Sequence, residues 1–319
     1  MGVEALIPIF EISLEDLKLG PNAANGGCGE NNDMRTKIRE ACEVHGCFLL
    51  RCNESGTPSL AEEMFEGMRS LFDLPDDIKR RYISKRPYSS YLGKDPIVPL
   101  QESFGIDDAH LVESSQAFTG VVWPQGNPEF CSALNGMSSI MLQLNLAMLK
   151  VIFESYGAGS CYESFAEKTS TVFRLMKYNV PLSGAAGMGL VPHTDKNALT
   201  ILCQNDVQGL EIMSKDGAWT HLVVPHGCFF VVVGDVLKAW SNGRMHAVKH
   251  KVTISGNKDR YSCGLFTLPK EGVLVEVPKE LVDNEHPILY KPFSYTDYVS
   301  YFVQSNNRED ALEIYAGVV

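Results

Sequence analysis

The stretch V-P-H-T-D at positions 191–195 decides how the rest of this chain is read. His193 and Asp195 stand two apart, and on an extended strand side chains two apart share a face. An imidazole and a carboxylate placed this way can reach one ion. A second imidazole, His250 in V-K-H-K-V (248–252), follows after about the length of chain needed to cross a sheet and return. Two histidines and one carboxylate, with the remaining positions open, are the donor set of a non-haem ferrous centre. An isolated H-x-D also describes a surface turn or a hydrogen-bonded pair, so context has to carry the reading.

That context lies downstream in D-R-Y-S-C-G-L-F (259–266), where Arg260 and Ser262 are again two apart on an apolar, β-rich run. An arginine there can grip a carboxylate through two parallel N–H···O bonds, which is what a 2-oxo acid cosubstrate beside the iron requires. Phe266 shares the parity of Arg260 and Ser262, and Arg174, Met176 and Tyr178 share a face on another expected strand. Each has a plain alternative. An isolated arginine is usually at the surface, aromatic residues on strands are mostly core, and Arg174 can simply pair with a carboxylate. His246, four residues before His250, competes for the third ligand position on periodicity alone. Asp235 in V-V-G-D precedes a turn and reads as a backbone cap.

The 319 residues allow one large domain or two small ones. A hydrophobic content of 45% and a charged content of 21% are those of a globular protein. The net charge of −11 argues against nucleic-acid binding. No apolar run reads as long enough to cross a bilayer, Leu6 stands where a myristoylation signal wants Ser or Thr, and no signal peptide opens the sequence, so a cytoplasmic monomer without membrane contact is expected. The nine cysteines form no C-x-x-C and read as reduced, small core residues.

Periodicity predicts a strand over 7–12, a loop over 21–32, helices over 34–45 and 60–72, a strand over 47–51 and irregular structure over 84–99. The longest helix is expected over 136–156, apolar nearly all round and so buried on more than one side. Short strands follow at 171–178, 199–204, 210–214, 228–233, 246–254, 261–268 and 273–277, and helices at 295–303 and 309–315. The fold expected is mixed α and β: a double-stranded β-helix, or jelly roll, with helical N-terminal and C-terminal segments. Residues 1–165 would form a mainly helical region packed on a core of residues 166–319.

The chain resembles the plant 2-oxoglutarate/Fe(II)-dependent dioxygenases over nearly its whole length. The resemblance rests on A-C-E-V-H-G-C-F (41–48), V-P-H-T-D, V-Q-G-L-E-I (207–212), G-D-V-L-K-A-W-S-N-G-R (234–244), V-K-H-K-V and R-Y-S…F (260–266). E-S-F-G-I (102–106), V-V-W-P-Q-G-N (121–127) and Q-N-D-V-Q-G-L-E (204–211) are similar to the subgroup holding the glucosinolate-side-chain dioxygenases, deoxypodophyllotoxin synthase and, more distantly, the auxin-oxidising dioxygenase. The resemblance implies His193, Asp195 and His250 as iron ligands, choosing His250 over His246. It implies Arg260 and Ser262 on the distal carboxylate of 2-oxoglutarate, with Tyr178 touching the same cosubstrate. Met176 stands where the family has an asparagine, and the family's N-H-G after the second strand is absent. Phe266 and Arg174 fall on the substrate side, and Tyr91 and Phe104 in segments that cover the pocket. The implied activity is oxidation of a C–H bond of a small plant specialised metabolite or hormone, using Fe(II), 2-oxoglutarate and O2 with ascorbate as reductant. An auxin-type hormone oxidase and a non-catalytic binding protein on the same fold are the alternatives. A halogenase would have Gly or Ala in place of Asp195.

Overall fold

On the strand that runs Arg260–Pro269, Tyr261, Cys263 and Leu265 point one way and Arg260, Ser262 and Gly264 the other. This alternation organises the molecule. The computed structural model describes residues 7–13, 28–52, 56–84, 86, 89–182, 184–305 and 309–318, with the side chains of 28–32 left out. In chain order its strands are β1 (Ile9–Ile12), β2 (Cys47–Cys52), β3 (Gln101–Asp107), β4 (Thr169–Tyr178), β5 (Gly187–His193), β6 (Leu199–Gln204), β7 (Leu210–Met213), β8 (Trp219–His221), β9 (Cys228–Val233), β10 (His250–Ile254), β11 (Arg260–Pro269), β12 (Leu274–Val275) and β13 (Phe293–Ser294).

The large sheet has the order β1-β2-β9-β6-β11-β4-β3 and the small one β5-β10-β7-β8. Their facing sides enclose an apolar core that includes Leu49, Met176, Tyr178, Ile212, Phe230, Val252 and Ile254. The jelly roll expected from the sequence is present. Three of its strands, β1, β2 and β3, come from before residue 165, so the early part of the chain supplies sheet as well as helix.

The other side of the large sheet is covered by helices α1 (Cys28–Val44), α2 (Thr57–Phe72), α3 (Asp76–Lys79), α4 (Val112–Val122), α5 (Pro128–Ser155) and α6 (Tyr162–Glu167). The 28 residues of α5 begin earlier than periodicity predicts, because the Asn127 side chain caps the Phe130 N–H and Pro128 occupies the first turn. By length and composition α5 could cross a bilayer, contrary to the expectation above. It lies instead against the sheet, burying Leu134, Met141, Leu144, Met148 and Ile152. A polar contact sits within this interface. The Asn145 amide donates to the Leu199 carbonyl at 3.1 Å and accepts from the Thr267 hydroxyl at 2.6 Å.

Helix α1 starts inside the predicted loop, at Cys28, while 21–27 fall outside the described residues. It ends where Gly46 takes φ +70°; a Cβ there would lie 2.2 Å from the His246 carbonyl oxygen, so only glycine lets the two backbones approach. The chain closes with α7 (Asp235–Trp240), α8 (Tyr295–Gln304) and α9 (Ala311–Ala316). The eight described cysteines are free thiols, and six of them are buried.

Candidate active site

Strands β5 and β10 are paired so that His193 and His250 face each other directly in register. Their rings lie 4.3 Å apart between centroids. Asp195 lies just past the end of β5, not on the extended strand expected from the spacing, and its carboxylate still faces both rings. Asp195 Oδ1 is 3.7 Å from His193 Nε2 and 3.9 Å from His250 Nε2. One donor atom from each residue falls within 4.8 Å of the others.

The tautomers suit a metal. His193 Nδ1 donates to the Val191 carbonyl at 2.9 Å and His250 Nδ1 to the Val248 carbonyl at 3.2 Å, which leaves both Nε2 lone pairs facing inward. Burial, and then the neighbouring His250, push the His193 pKa down to about 4, so this ring is neutral near pH 7 and needs no deprotonation to bind an ion. The other carboxylate oxygen, Asp195 Oδ2, accepts from the Thr200 hydroxyl at 2.6 Å. This donor set fits a divalent iron with positions left open.

His246 does not share the site. Strand β10 begins at His250, so the parity argument that made His246 a rival does not apply. His246 lies in the preceding loop, its N–H bonded to the Cys42 carbonyl at 2.9 Å. Asp235 also lies outside the triad, and its carboxylate binds side chains and does not make the backbone cap expected from the turn. Its Oδ2 accepts from Lys196 at 2.7 Å and Tyr298 at 2.6 Å, and its N–H donates to the Asp195 carbonyl.

On the facing large sheet, β11 and β4 carry the other half of the site. Arg260 is 1% exposed. Its Nη2 donates to Gln204 Oε1 at 2.8 Å, its Nη1 to Ser262 Oγ at 3.4 Å, and its guanidinium lies 5.0 Å from the centre of the Tyr178 ring. Arg260 Nε is buried with no partner among the described residues. Burial lowers the pKa of this guanidinium, and Tyr178 opposes the shift. A buried cation with an unsatisfied donor is stabilised by an anion, and a carboxylate meets both needs. Gly209, in V-Q-G-L-E, backs the clamp: a Cβ there would lie 3.6 Å from Arg260 Cδ and 2.6 Å from the Thr253 carbonyl oxygen. Tyr178 packs over Gly189, and its hydroxyl donates to Met176 Sδ at 3.6 Å. Phe266 is half-buried on the same face as Arg260, its ring beside Gly264.

Arg174 lies on this inner face too, donating to Ser103 Oγ at 3.1 Å. Two other expected pocket residues do not. Phe104 is fully buried on the opposite side of the sheet, against Phe72, Tyr91 and Phe118. Tyr91 lies beside it and donates to Glu102 Oε2 at 2.6 Å, joining a buried ion pair in which Lys79 Nζ is 2.7 Å from the same oxygen. The reason is parity: β3 pairs with β4 so that Ser103 and Gly105 oppose Met176 and Arg174, which turns Phe104 outward. The segment before β3 does cross the inner face, but through Ser89, whose Cα would lie 2.7 Å from a Cβ on Gly105. Sequence reasoning also missed Thr200, Gln204 and Tyr295. Burial and then the charge of Asp195 raise the pKa of Tyr295 at the start of α8.

A jelly roll with two histidines and an aspartate at one end of its small sheet, and a buried arginine on the facing wall, defines an oxygenase of the 2-oxoglutarate and iron type. Residues 170–269 match the 2OG-Fe(II) oxygenase superfamily, and residues 8–117 match the non-haem dioxygenase in morphine synthesis N-terminal family. The chain belongs to the 2-oxoglutarate/Fe(II)-dependent dioxygenases. It is 36% identical over 323 residues to the probable 2-oxoglutarate-dependent dioxygenase AOP1.2 of Arabidopsis thaliana, covering 99% of this chain and 97% of the relative. It is also 36% identical to the 2-oxoglutarate-dependent dioxygenase DAO of Oryza sativa subsp. indica, over 91% of this chain and 93% of that one. The crystal structure of the rice dioxygenase for auxin oxidation superposes with a TM-score of 0.80 at 33% identity, covering 98% of this chain and all of that one. The Arabidopsis thaliana auxin-oxidation dioxygenase bound to 2-oxoglutarate gives 0.78 at 28% identity, covering 88% of this chain and all of that one.

Proposed function

We propose that this dioxygenase oxidises a C–H bond of a small, partly apolar plant metabolite or hormone, and that it does so as a cytoplasmic monomer. Iron(II) and 2-oxoglutarate, when bound, supply the oxidation by O2, with succinate and CO2 as co-products and ascorbate as reductant. His193, Asp195 and His250 hold the iron. Arg260 and Ser262 hold the far carboxylate of 2-oxoglutarate, and Tyr178 packs beside it. Phe266 and Arg174 line the substrate side, Phe266 excluding water and fixing the aim of the substrate. Hydroxylation is the default outcome; demethylation, desaturation or ring closure would use the same residues.

The observation that carries this reading is the convergence of both Nε2 atoms on Asp195 Oδ1, opposite a buried arginine with an unsatisfied donor. The test is a panel of phenolic, indolic, alkaloid and terpenoid compounds, scored for succinate and oxidised product in equal amounts. A protein that binds such compounds but releases no succinate with Fe(II) and 2-oxoglutarate would be a binding protein instead.

An acidic substrate of the auxin type is the second reading. The positive charge of Arg174 on the cavity side favours it, as does the 36% identity to the rice enzyme. An indolic acid should then be turned over and its methyl ester should not. Equal turnover of acid and ester would remove Arg174 from this role.

A further inference from the structure

Strand β6 carries no expected ligand, yet its inward side chains touch both halves of the site. Thr200 and Gln204 lie four residues apart on one face, opposite Phe266 and Ser262 in the register with β11. We propose that β6 is a positioning strand, with Thr200 aiming the Asp195 carboxylate and Gln204 aiming the Arg260 guanidinium. The proposal rests on the ligand and clamp assignments made above.

Thr200 is 1% exposed. Asn197 Nδ2 donates to its hydroxyl at 3.1 Å, which leaves the hydroxyl proton for Asp195 Oδ2 at 2.6 Å. With Oδ2 engaged, Oδ1 alone faces the two histidines. The carboxylate is thereby set to bind through one oxygen, so it takes a single coordination position and leaves the others open.

Gln204 is oriented by a similar chain. Gln208 is fixed to the backbone, donating to the Val224 carbonyl at 3.2 Å and accepting from the Val224 N–H at 3.1 Å. Its oxygen then accepts from Gln204 Nε2 at 3.0 Å, which turns Gln204 Oε1 toward Arg260 Nη2 at 2.8 Å. An amide is assigned by its partners, and here both ends agree. The acceptor takes one Nη2 proton and so fixes the plane of the guanidinium, with Nε and the second Nη2 proton left for a carboxylate.

The two contacts predict separable effects. Iron affinity is measured by anaerobic equilibrium dialysis of Fe(II), and 2-oxoglutarate affinity by calorimetric titration of the Fe(II)-loaded protein without O2. Thr200→Val should weaken iron roughly 10- to 100-fold, the range for losing a hydrogen bond to a metal ligand, and Thr200→Ser should restore it. Gln204→Leu should leave iron affinity within about twofold and weaken 2-oxoglutarate roughly tenfold or more, as expected for losing a hydrogen bond to a charged group. Gln204→Glu should weaken it further, since its carboxylate would compete for Arg260. Wild-type iron affinity in Thr200→Val, or unchanged 2-oxoglutarate affinity in Gln204→Glu, overturns the proposal while leaving the ligand assignment intact. Should Thr200→Val fail to fold, poor iron binding by a folded Thr200→Ser would overturn it as well. A wild-type protein that binds neither iron nor 2-oxoglutarate overturns the assignment itself, and this proposal with it.

Discussion

The two faces of the large sheet are built on different principles. The outer face is an apolar surface, where Phe104, Phe173, Leu175, Ile201, Phe229 and Leu265 meet the helices. Dispersion and loss of water hold most of it, with the Asn145 and Glu102 contacts as its polar exceptions. The inner face near the metal carries Thr200, Gln204, Arg260 and Ser262, and there each polar group has a particular partner at a particular distance. The outer face should therefore tolerate substitution by similar volume, while the inner face should be sensitive to loss of a single polar atom.

The sharpest way to break this contrast is at the metal. His250→Ala should abolish both iron binding and turnover, and His246→Ala should leave iron binding intact, as read by dialysis against Fe(II). The reverse pattern would move the third ligand to His246. Next in size, Phe104→Ala should cost ~3–5 kcal/mol of stability, as truncation of a buried aromatic does. Denaturant unfolding would read it, with 2-oxoglutarate affinity unchanged in the folded fraction; a stable variant with weak substrate binding would return Phe104 to the pocket. Arg260→Ala should weaken 2-oxoglutarate by ~2–5 kcal/mol, since a carboxylate would lose its charged partner in a dry site. Its KM for 2-oxoglutarate should rise far more than that for the organic substrate.

Smaller effects sharpen the comparison. Phe266→Ala should weaken substrate binding by ~1–3 kcal/mol and release succinate without matching product, because the substrate is aimed less well. A lower melting temperature with full coupling would assign Phe266 to packing. His246 gives a pH effect. Burial, and then Lys215 and Lys238, lower its pKa from 6.5 to about 4, so the folded state favours the neutral ring. Its contribution to stability is fully present above pH 6.5 and is lost as pH falls toward about 4. Urea midpoints across that window should fall less steeply in His246→Ala than in the wild type.

Much of the inner face was legible because a polar residue in an apolar strand is an exception that needs a reason. His250, Arg260 and Ser262 stood out this way, while His193 and Asp195 were marked by the spacing of H-x-D. Tyr91 and Phe104 were misplaced because an aromatic residue suits a pocket and a core equally well, and only the register of β3 tells them apart. Strand β3 itself escaped notice with a glycine at its centre, as did β5, whose Gly187, Gly189 and Pro192 are poor strand residues. Helix α4 has no side-chain cap to mark its start. Asn127-Pro128 did carry a helix-start signal, which could have extended α5 to its observed length. Thr200 and Gln204 were beyond reach, since their roles depend on partners that only the fold brings near.

The Asn145 amide has a consequence for the accuracy of the site. A helix that is apolar on most sides can rest on a sheet at several heights with similar dispersion energy. Sliding α5 by one turn would leave the Asn145 amide, the Leu199 carbonyl and the Thr267 hydroxyl without partners in a dry interface, at ~1–3 kcal/mol each. The amide therefore acts as an address, admitting one height and rejecting its neighbours. Leu199 and Thr267 belong to β6 and β11, the same strands whose opposite faces carry Thr200, Gln204, Arg260 and Ser262. A single polar side chain on the oily side of the sheet thus helps set where the chemistry on its other side is aimed.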